Sequence, residues 1–207
     1  MAQSTNKTPD IPQEVLADLN QYIKYLRERI FFEPENPVFH YNLGIAYARK
    51  GLRAEAISEF KQAIECDPTL AQAYVNLGGL YFQEGDLDRC IETNRKALEI
   101  DANLPMAYSN LGFAHLQKGD HQEAIEACRK AVELMPQLLQ AHNNLAVAYL
   151  QMGRHQDSIA ASLKVLELQP DFAPAHYNLS VAYAATGEEA KAAEHLKKAK
   201  ALGYPVE

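Results

Sequence analysis

The stretch at 105–138, PMAYSNLGFAHLQKGDHQEAIEACRKAVELMPQL, decides the fold. Its apolar residues fall at three- and four-residue steps on either side of Gly119, the spacing that gathers side chains on one face of an α-helix. Gly119 reads as a left-handed helix stop and Met135-Pro136 as a second punctuation. The stretch is therefore helix, glycine turn, helix, proline-marked turn. The same reading holds outward in both directions. Tyr41-Asn42-Leu43-Gly44, Val75-Asn76-Leu77-Gly78, Ser109-Asn110-Leu111-Gly112, Asn143-Asn144-Leu145-Ala146 and Tyr177-Asn178-Leu179-Ser180 are displaced from one another by 34 residues. Counting from Pro37, Ala71, Pro105, Leu139 and Ala173 keeps one register without insertion, with segments 37–70, 71–104, 105–138, 139–172 and 173–207. Glycine occupies the fifteenth place of all five (Gly51, Gly85, Gly119, Gly153, Gly187).

Other places in the register are fixed by size. The eighth holds Gly44, Gly78, Gly112, Ala146 and Ser180; the twentieth Ala56, Cys90, Ala124, Ser158 and Ala192; the twenty-seventh Ala63, Ala97, Ala131, Val165 and Ala199. Small side chains there let the two helices of a hairpin approach to roughly 8–10 Å. The eleventh place is Tyr47, Tyr81, Tyr149 and Tyr183, with His115 the exception.

These places, in five tandem copies from about Pro37 onward, resemble the tetratricopeptide repeat family. The resemblance implies an all-α, right-handed α-solenoid of five tandem 34-residue helix-turn-helix repeats with an N-terminal cap helix. Residues 1–11 are expected to form a flexible tail and 12–36 the cap helix and its turn. In the cap, Ile23, Ile30, Phe32 and Pro34 match Ile57, Ile64, Cys66 and Pro68, while Tyr22 and Arg29 replace the close-approach alanines. Those two would face a first helix that the sequence lacks. At the other end, the inter-repeat places 21 and 28, Ile57/Ile64, Ile91/Leu98, Ile125/Val132 and Ile159/Leu166, become Ala193 and Lys200. A polar outer face suits a terminal repeat, so the array is expected to end there after 11 helices.

Composition excludes several functions. The chain has 207 residues, 47% of them apolar, and a net charge of −7. Such an acidic balance argues against phosphate-driven nucleic-acid binding. No apolar run approaches a membrane span, and the first ten residues lack the apolar core of a secretory signal. Three scattered cysteines, Cys66, Cys90 and Cys128, fit a reducing, cytoplasmic setting. Cys66 and Cys90 fall at packing places, and Cys128 at a variable one shared with Phe60, Asn94, Ser162 and Leu196. Three of the seven histidines, His40, His142 and His176, share the fourth place, where Tyr74 and Tyr108 stand in the other repeats. An aromatic-like packing role is expected of them, and neither a metal nor any other cofactor is. Gly78-Gly79 lies within a helix and is no phosphate loop. No catalytic constellation emerges, so an enzyme is not expected.

The informative surface is the first-helix wall, which lines the concave side in the family this chain resembles. Of 20 basic and 27 acidic residues, only Arg49, Lys50, Glu84 and Lys118 fall in the first-helix windows. Places 2, 5, 9 and 12 form a second apolar face beside the packing face. It carries Val38, Tyr41 and Ile45, then Val75 and Phe82, then Met106, Phe113 and Leu116, then Val147 and Leu150, then Tyr177 and Val181. Beside this trough runs an asparagine ladder, Asn42, Asn76, Asn110, Asn144 and Asn178. An amide both donates and accepts, so it can hold a peptide backbone or tie adjacent helices. With helices about 9 Å apart and an extended chain advancing about 3.3 Å per residue, one rung meets every third residue of a bound segment. The basic clamp by which some members of the family hold acidic chaperone tails is missing, because places 2, 5 and 6 carry no Lys or Arg. The sequence therefore points to a non-enzymatic scaffold or adaptor, an assembly factor among the options, that binds a low-charge or apolar polypeptide segment in its groove. The rival is a self-assembling protein whose groove is filled by another copy.

Overall fold

The computed structural model describes residues 19–205. Among these residues are eleven helices and no strand. A single helix, α1 (Leu19–Phe32), precedes five hairpins: α2 (Pro37–Arg49) with α3 (Arg53–Cys66), α4 (Ala71–Gln83) with α5 (Leu87–Ile100), α6 (Pro105–Lys118) with α7 (His121–Leu134), α8 (Leu139–Gln151) with α9 (His155–Leu168), and α10 (Ala173–Ala185) with α11 (Glu189–Ala201). Each hairpin packs on the next through its second helix, and the array is an α-solenoid. The expected tail 1–11 and the part of the cap helix before Leu19 lie outside the described residues.

One turn chemistry repeats five times. Gly51, Gly85, Gly119, Gly153 and Gly187 all have φ between 69° and 85°. The residue after each glycine donates its N–H to the carbonyl of place 11, as Leu52 N does to Tyr47 O at 2.9 Å, and the glycine N–H reaches the carbonyl of place 12. This is the Schellman arrangement, which satisfies the last carbonyls of a first helix while reversing the chain. The side chains of place 11 lie beneath the turn, with the Arg89 guanidinium 4.3 Å from the Tyr81 ring and the Arg154 guanidinium 4.5 Å from that of Tyr149. The exception, His115, bonds Asp120 at 3.1 Å instead.

The seam inside each hairpin is closed by the small places. Places 20 and 27 are buried in all five repeats, including Ala56, Ala63, Cys90 and Ser158. Place 24, variable in sequence, is the other half of that seam. Phe60, Asn94, Cys128 and Ser162 are fully buried there, the first three directly opposite place 8 of their own repeats. A Cβ on Gly44 would come 2.8 Å from the Phe60 ring, one on Gly78 2.2 Å from Asn94 Nδ2, and one on Gly112 2.2 Å from Cys128 Sγ. Where place 24 shrinks to Ser162, place 8 enlarges to Ala146. In the second, third and fourth repeats the two places thus sum to a similar volume, as close packing favours, while the first and fifth hold the larger pairs Gly44 with Phe60 and Ser180 with Leu196.

At the N-terminal end, Tyr22, Ile23 and Leu26 are buried with Leu43 and Ala46, so the tyrosine at the alanine place is a core residue. Arg29 pairs with Glu33 and lies over the Phe39 ring. At the other end, Ala193 and Lys200 are exposed, and Tyr204 stacks on Tyr177 with ring centroids 4.7 Å apart.

Candidate functional site

The first helices α4, α6, α8 and α10 approach one another closely along one wall, while α2 and α4 stand wider apart. Tyr41 spans that wider gap: its ring lies 5.8 Å from Phe60, and its hydroxyl accepts from Asn76 Nδ2 at 3.1 Å. The result is a cavity of about 410 Å³ between α2, α4 and α6. Of the predicted groove residues it brings together Tyr41, Ile45, Asn76, Met106 and Asn110, with Arg49 the one charged side chain in its lining. Phe60, Gln72, Val75, Gly79 and Gln83 complete much of the wall, and none of these was singled out for binding except Val75, as part of the trough.

The other predicted residues lie elsewhere. Phe82 and Phe113 meet edge to face at 4.5 Å, and Leu116 packs against the core around Ile125 and Leu145. Val147 is half-buried on α8, and Tyr177 is covered on one side by Tyr204. The asparagine ladder divides. Asn42, Asn144 and Asn178 are buried, whereas Asn76 and Asn110 are half-buried at the cavity. Three rungs tie helices: Asn76 to Tyr41, Asn178 Nδ2 to Asn143 Oδ1 at 3.3 Å, and Asn110 Nδ2 to Asn94 Oδ1 at 3.1 Å. In two of the three the partner is place 5 of the preceding repeat, Tyr41 or Asn143. Val75 cannot accept, so Asn110 turns to Asn94. Each tie uses the amide nitrogen, which leaves the carbonyl oxygen as the rung's free acceptor.

Of the four first-helix charges, Lys118 is paired with Asp88 at 2.6 Å and Lys50 bonds Asn20 at 2.7 Å. Arg49 is exposed and makes no ion pair among the described residues. Glu84 is exposed just after α4, so the wall carries few charges, and Arg49 is the one that lines the cavity.

The histidines of place 4 do more than pack. Nε2 of His40, His142 and His176 faces the carbonyl of Pro34, Pro136 and Pro170 at 2.9, 2.8 and 3.1 Å. Each ring thus fastens a first helix to the turn before it, in addition to the packing of the buried His40 and His176. Among the described residues no three His, Cys, Asp or Glu side chains converge as metal ligands do. The thiols are poor nucleophiles, because burial pushes Cys90 up to about 11 and Cys128 up to about 12. No described helix is long and apolar enough to cross a membrane.

A stack of helical hairpins with an apolar, nearly uncharged wall of first helices defines a helical-repeat protein-interaction scaffold. The chain belongs to the tetratricopeptide repeat family: models described as tetratricopeptide repeat or TPR repeat match residues 37–70, 59–92, 78–119, 103–171 and 140–203. Among solved structures it is similar to MamA, at 28% identity over 82% of this chain and 92% of that one, with a TM-score of 0.71. It shares its fold with YrrB, described as a TPR protein with an unusual peptide-binding site, at 22% identity over 86% and 92% of the two chains and a TM-score of 0.73. It also shares the fold of a chain in the APC/C hetero-tetramer Cut9-Hcn1, at 20% identity and a TM-score of 0.76 over 91% of this chain and 38% of the other. No curated protein matches the chain in sequence.

Proposed function

We propose that this protein is a non-enzymatic adaptor that holds an extended, low-charge segment of a partner polypeptide in its concave groove, in the manner of a chaperone-like assembly factor. The observation that carries this reading is the cavity between α2, α4 and α6, with two half-buried asparagines among mostly apolar lining residues. Each free amide carbonyl accepts a backbone N–H of the bound segment, a contact contributing about 0.5–1.5 kcal/mol. Apolar side chains of the segment settle between the rungs. Three free thiols, two of them buried, suit a cytoplasmic, reducing setting.

The test is co-purification with wild type beside Asn76→Ala/Asn110→Ala. A partner retained by wild type and lost from the variant, with helicity unchanged by circular dichroism, supports groove binding. A partner kept equally by both removes it.

A second reading, that another copy fills the groove, draws on a different observation. Phe31 and Phe32 are 80% and 75% exposed on α1 and meet edge to face at 5.3 Å, an apolar pair left uncovered in the single chain. Sedimentation of wild type against a Phe31→Ser/Phe32→Ser variant and a deletion of residues 1–12 separates the readings. Self-assembly requires that at least one of the changes reduce the assembled mass.

A further inference from the structure

Place 9 of the first helix carries Ile45, Phe113, Val147 and Val181 in four repeats and Gly79 in the second. Three structural reasons keep a glycine inside a helix: a left-handed backbone, a neighbour too close for a Cβ, or a helix stop. None applies to Gly79. It is absent from the residues with positive φ, it lies in the middle of α4 (Ala71–Gln83), and a Cβ there would find only Asn110 Nδ2, at 3.9 Å. The glycine weakens its helix and returns nothing to the packing. What it provides is space, because it lies in the lining of the cavity between α2, α4 and α6. The wide separation of α2 from α4 enlarges the same space, and an aliphatic side chain at place 9 would fill it.

We infer that the notch at Gly79 is an anchor pocket for one bulky apolar side chain of an extended partner segment, with a neighbouring acidic side chain of that segment meeting Arg49. This rests on the groove reading above and specifies its partner. Ile45, Val75, Leu80 and Met106 supply the apolar walls. Asn76 and Asn110 stand on either side with their carbonyls free, so the segment's backbone is held where its side chain enters. Met106 is 44% exposed, an adaptable thioether at the mouth. Arg49 is the only charge in the lining and pairs with no carboxylate among the described residues, so complementarity selects an Asp or Glu close to the anchor.

The experiment selects binders for the full chain from a displayed library of random twelve-residue peptides, then measures them by fluorescence polarisation. The expected binders share one Leu, Ile, Met or Phe position with an acidic residue within a few positions of it. Against Gly79→Leu they lose at least about tenfold in affinity, as exclusion of one such side chain implies. Arg49→Gln lowers affinity less and flattens its dependence on salt. Gly79→Leu is expected to retain its helicity, and Gly79→Ala, which fills less of the notch, gives a smaller loss and serves if the larger variant misfolds. Binders that ignore Gly79→Leu and Gly79→Ala but are lost from Asn76→Ala/Asn110→Ala overturn the anchor pocket and leave groove binding standing. Binders indifferent to all of these variants, or a library that yields none, overturn both.

Discussion

Gly78 and Gly79 are consecutive on α4 and belong to two regions built on opposite terms. Gly78 faces the seam with α5, where a Cβ would meet Asn94 Nδ2 at 2.2 Å; Gly79 faces the groove, where a Cβ would touch almost nothing. The seam is closely packed, and a larger side chain such as Phe60 is accommodated there by a glycine, Gly44, across the hairpin. In the groove a side chain can be absent without collapse. Stability resides in the first region and choice of partner in the second, so each can change with little effect on the other.

The largest expected contrast is chemical. Cys90 and Cys128 lie in the seam, and Cys66 is half-buried at the end of α3. With Cys128 pushed from 9.0 to about 12, its thiolate fraction at pH 8 falls by about a thousandfold before access is considered. A disulfide reagent should therefore label Cys66 in the folded protein and all three thiols only in denaturant. Gly112→Ala, whose Cβ would stand 2.2 Å from Cys128 Sγ, should loosen the seam and speed labelling of Cys128. Equal labelling rates for the three thiols in the native chain would show that the seam is open.

Next in size is Gly78→Ala. The new methyl displaces Asn94, which donates to Cys90 O at 2.8 Å and accepts from Asn110. A loss of about 1–3 kcal/mol in urea unfolding is expected. Adding Asn94→Ser recreates the fourth repeat's pair of Ala146 with Ser162 and should recover most of the loss. If the double variant is no better than the single one, the two places are not volume-coupled.

Much of this architecture was legible from spacing. The period, the left-handed glycines and the small places follow from chain geometry alone. The pairing of place 8 with place 24 did not, because periodicity assigns a residue to a face of its own helix and leaves open which residue meets it across the hairpin. Cys128 looks unremarkable in a variable place for that reason; the signal is the glycine at place 8 of the repeats that carry Phe60, Asn94 and Cys128. The cavity was hidden for another reason. The wide α2–α4 spacing accompanies the contact of the Tyr41 ring with Phe60, a pairing that no repeating pattern encodes. The candidate groove was thus read as uniform along five repeats, whereas the structure concentrates free amides and space in repeats one to three.

The seam also carries a pH dependence that differs between its ends. Place 4 meets place 23 across the hairpin. In the first repeat this pairs His40 with Glu59 at 2.7 Å, and in the fifth His176 Nδ1 with His195 Nδ1 at 2.9 Å. Nε2 of His176 faces the Pro170 carbonyl and so carries a proton, which leaves its Nδ1 to accept from His195. A second proton on His176 would set two N–H groups against each other, whereas one on His195 goes to its Nε2 and is opposed by burial and nearby positive charge instead. Burial, His176 and Lys198 hold His195 below the ordinary histidine range, against a smaller opposing pull from Glu194; Tyr183 stacks on the ring and Asp171 lines the adjoining hollow. The unfolded chain therefore takes up its proton first as pH falls through about 6.5, and stability present above that value is lost below it. Hydrogen exchange should show α11 opening faster at pH 5.5 than at 7.5, with α3 little changed. His195→Glu, which copies the His40–Glu59 pair, should abolish or reverse the effect. Acid sensitivity unaltered by that substitution would place its origin elsewhere.

The smallest effect carries the opposite sign. Gly79→Ala removes a mid-helix glycine without meeting any atom closer than 3.9 Å, so the helix gains about 1 kcal/mol and the melting temperature rises by roughly 2–4 °C. Adjacent glycines given the same methyl group should thus move stability in opposite directions, and the difference between them measures how separate the seam and the groove are. A fall in melting temperature for Gly79→Ala would mean that the groove face of α4 is packed as tightly as the seam, and that the space beside it has a structural use.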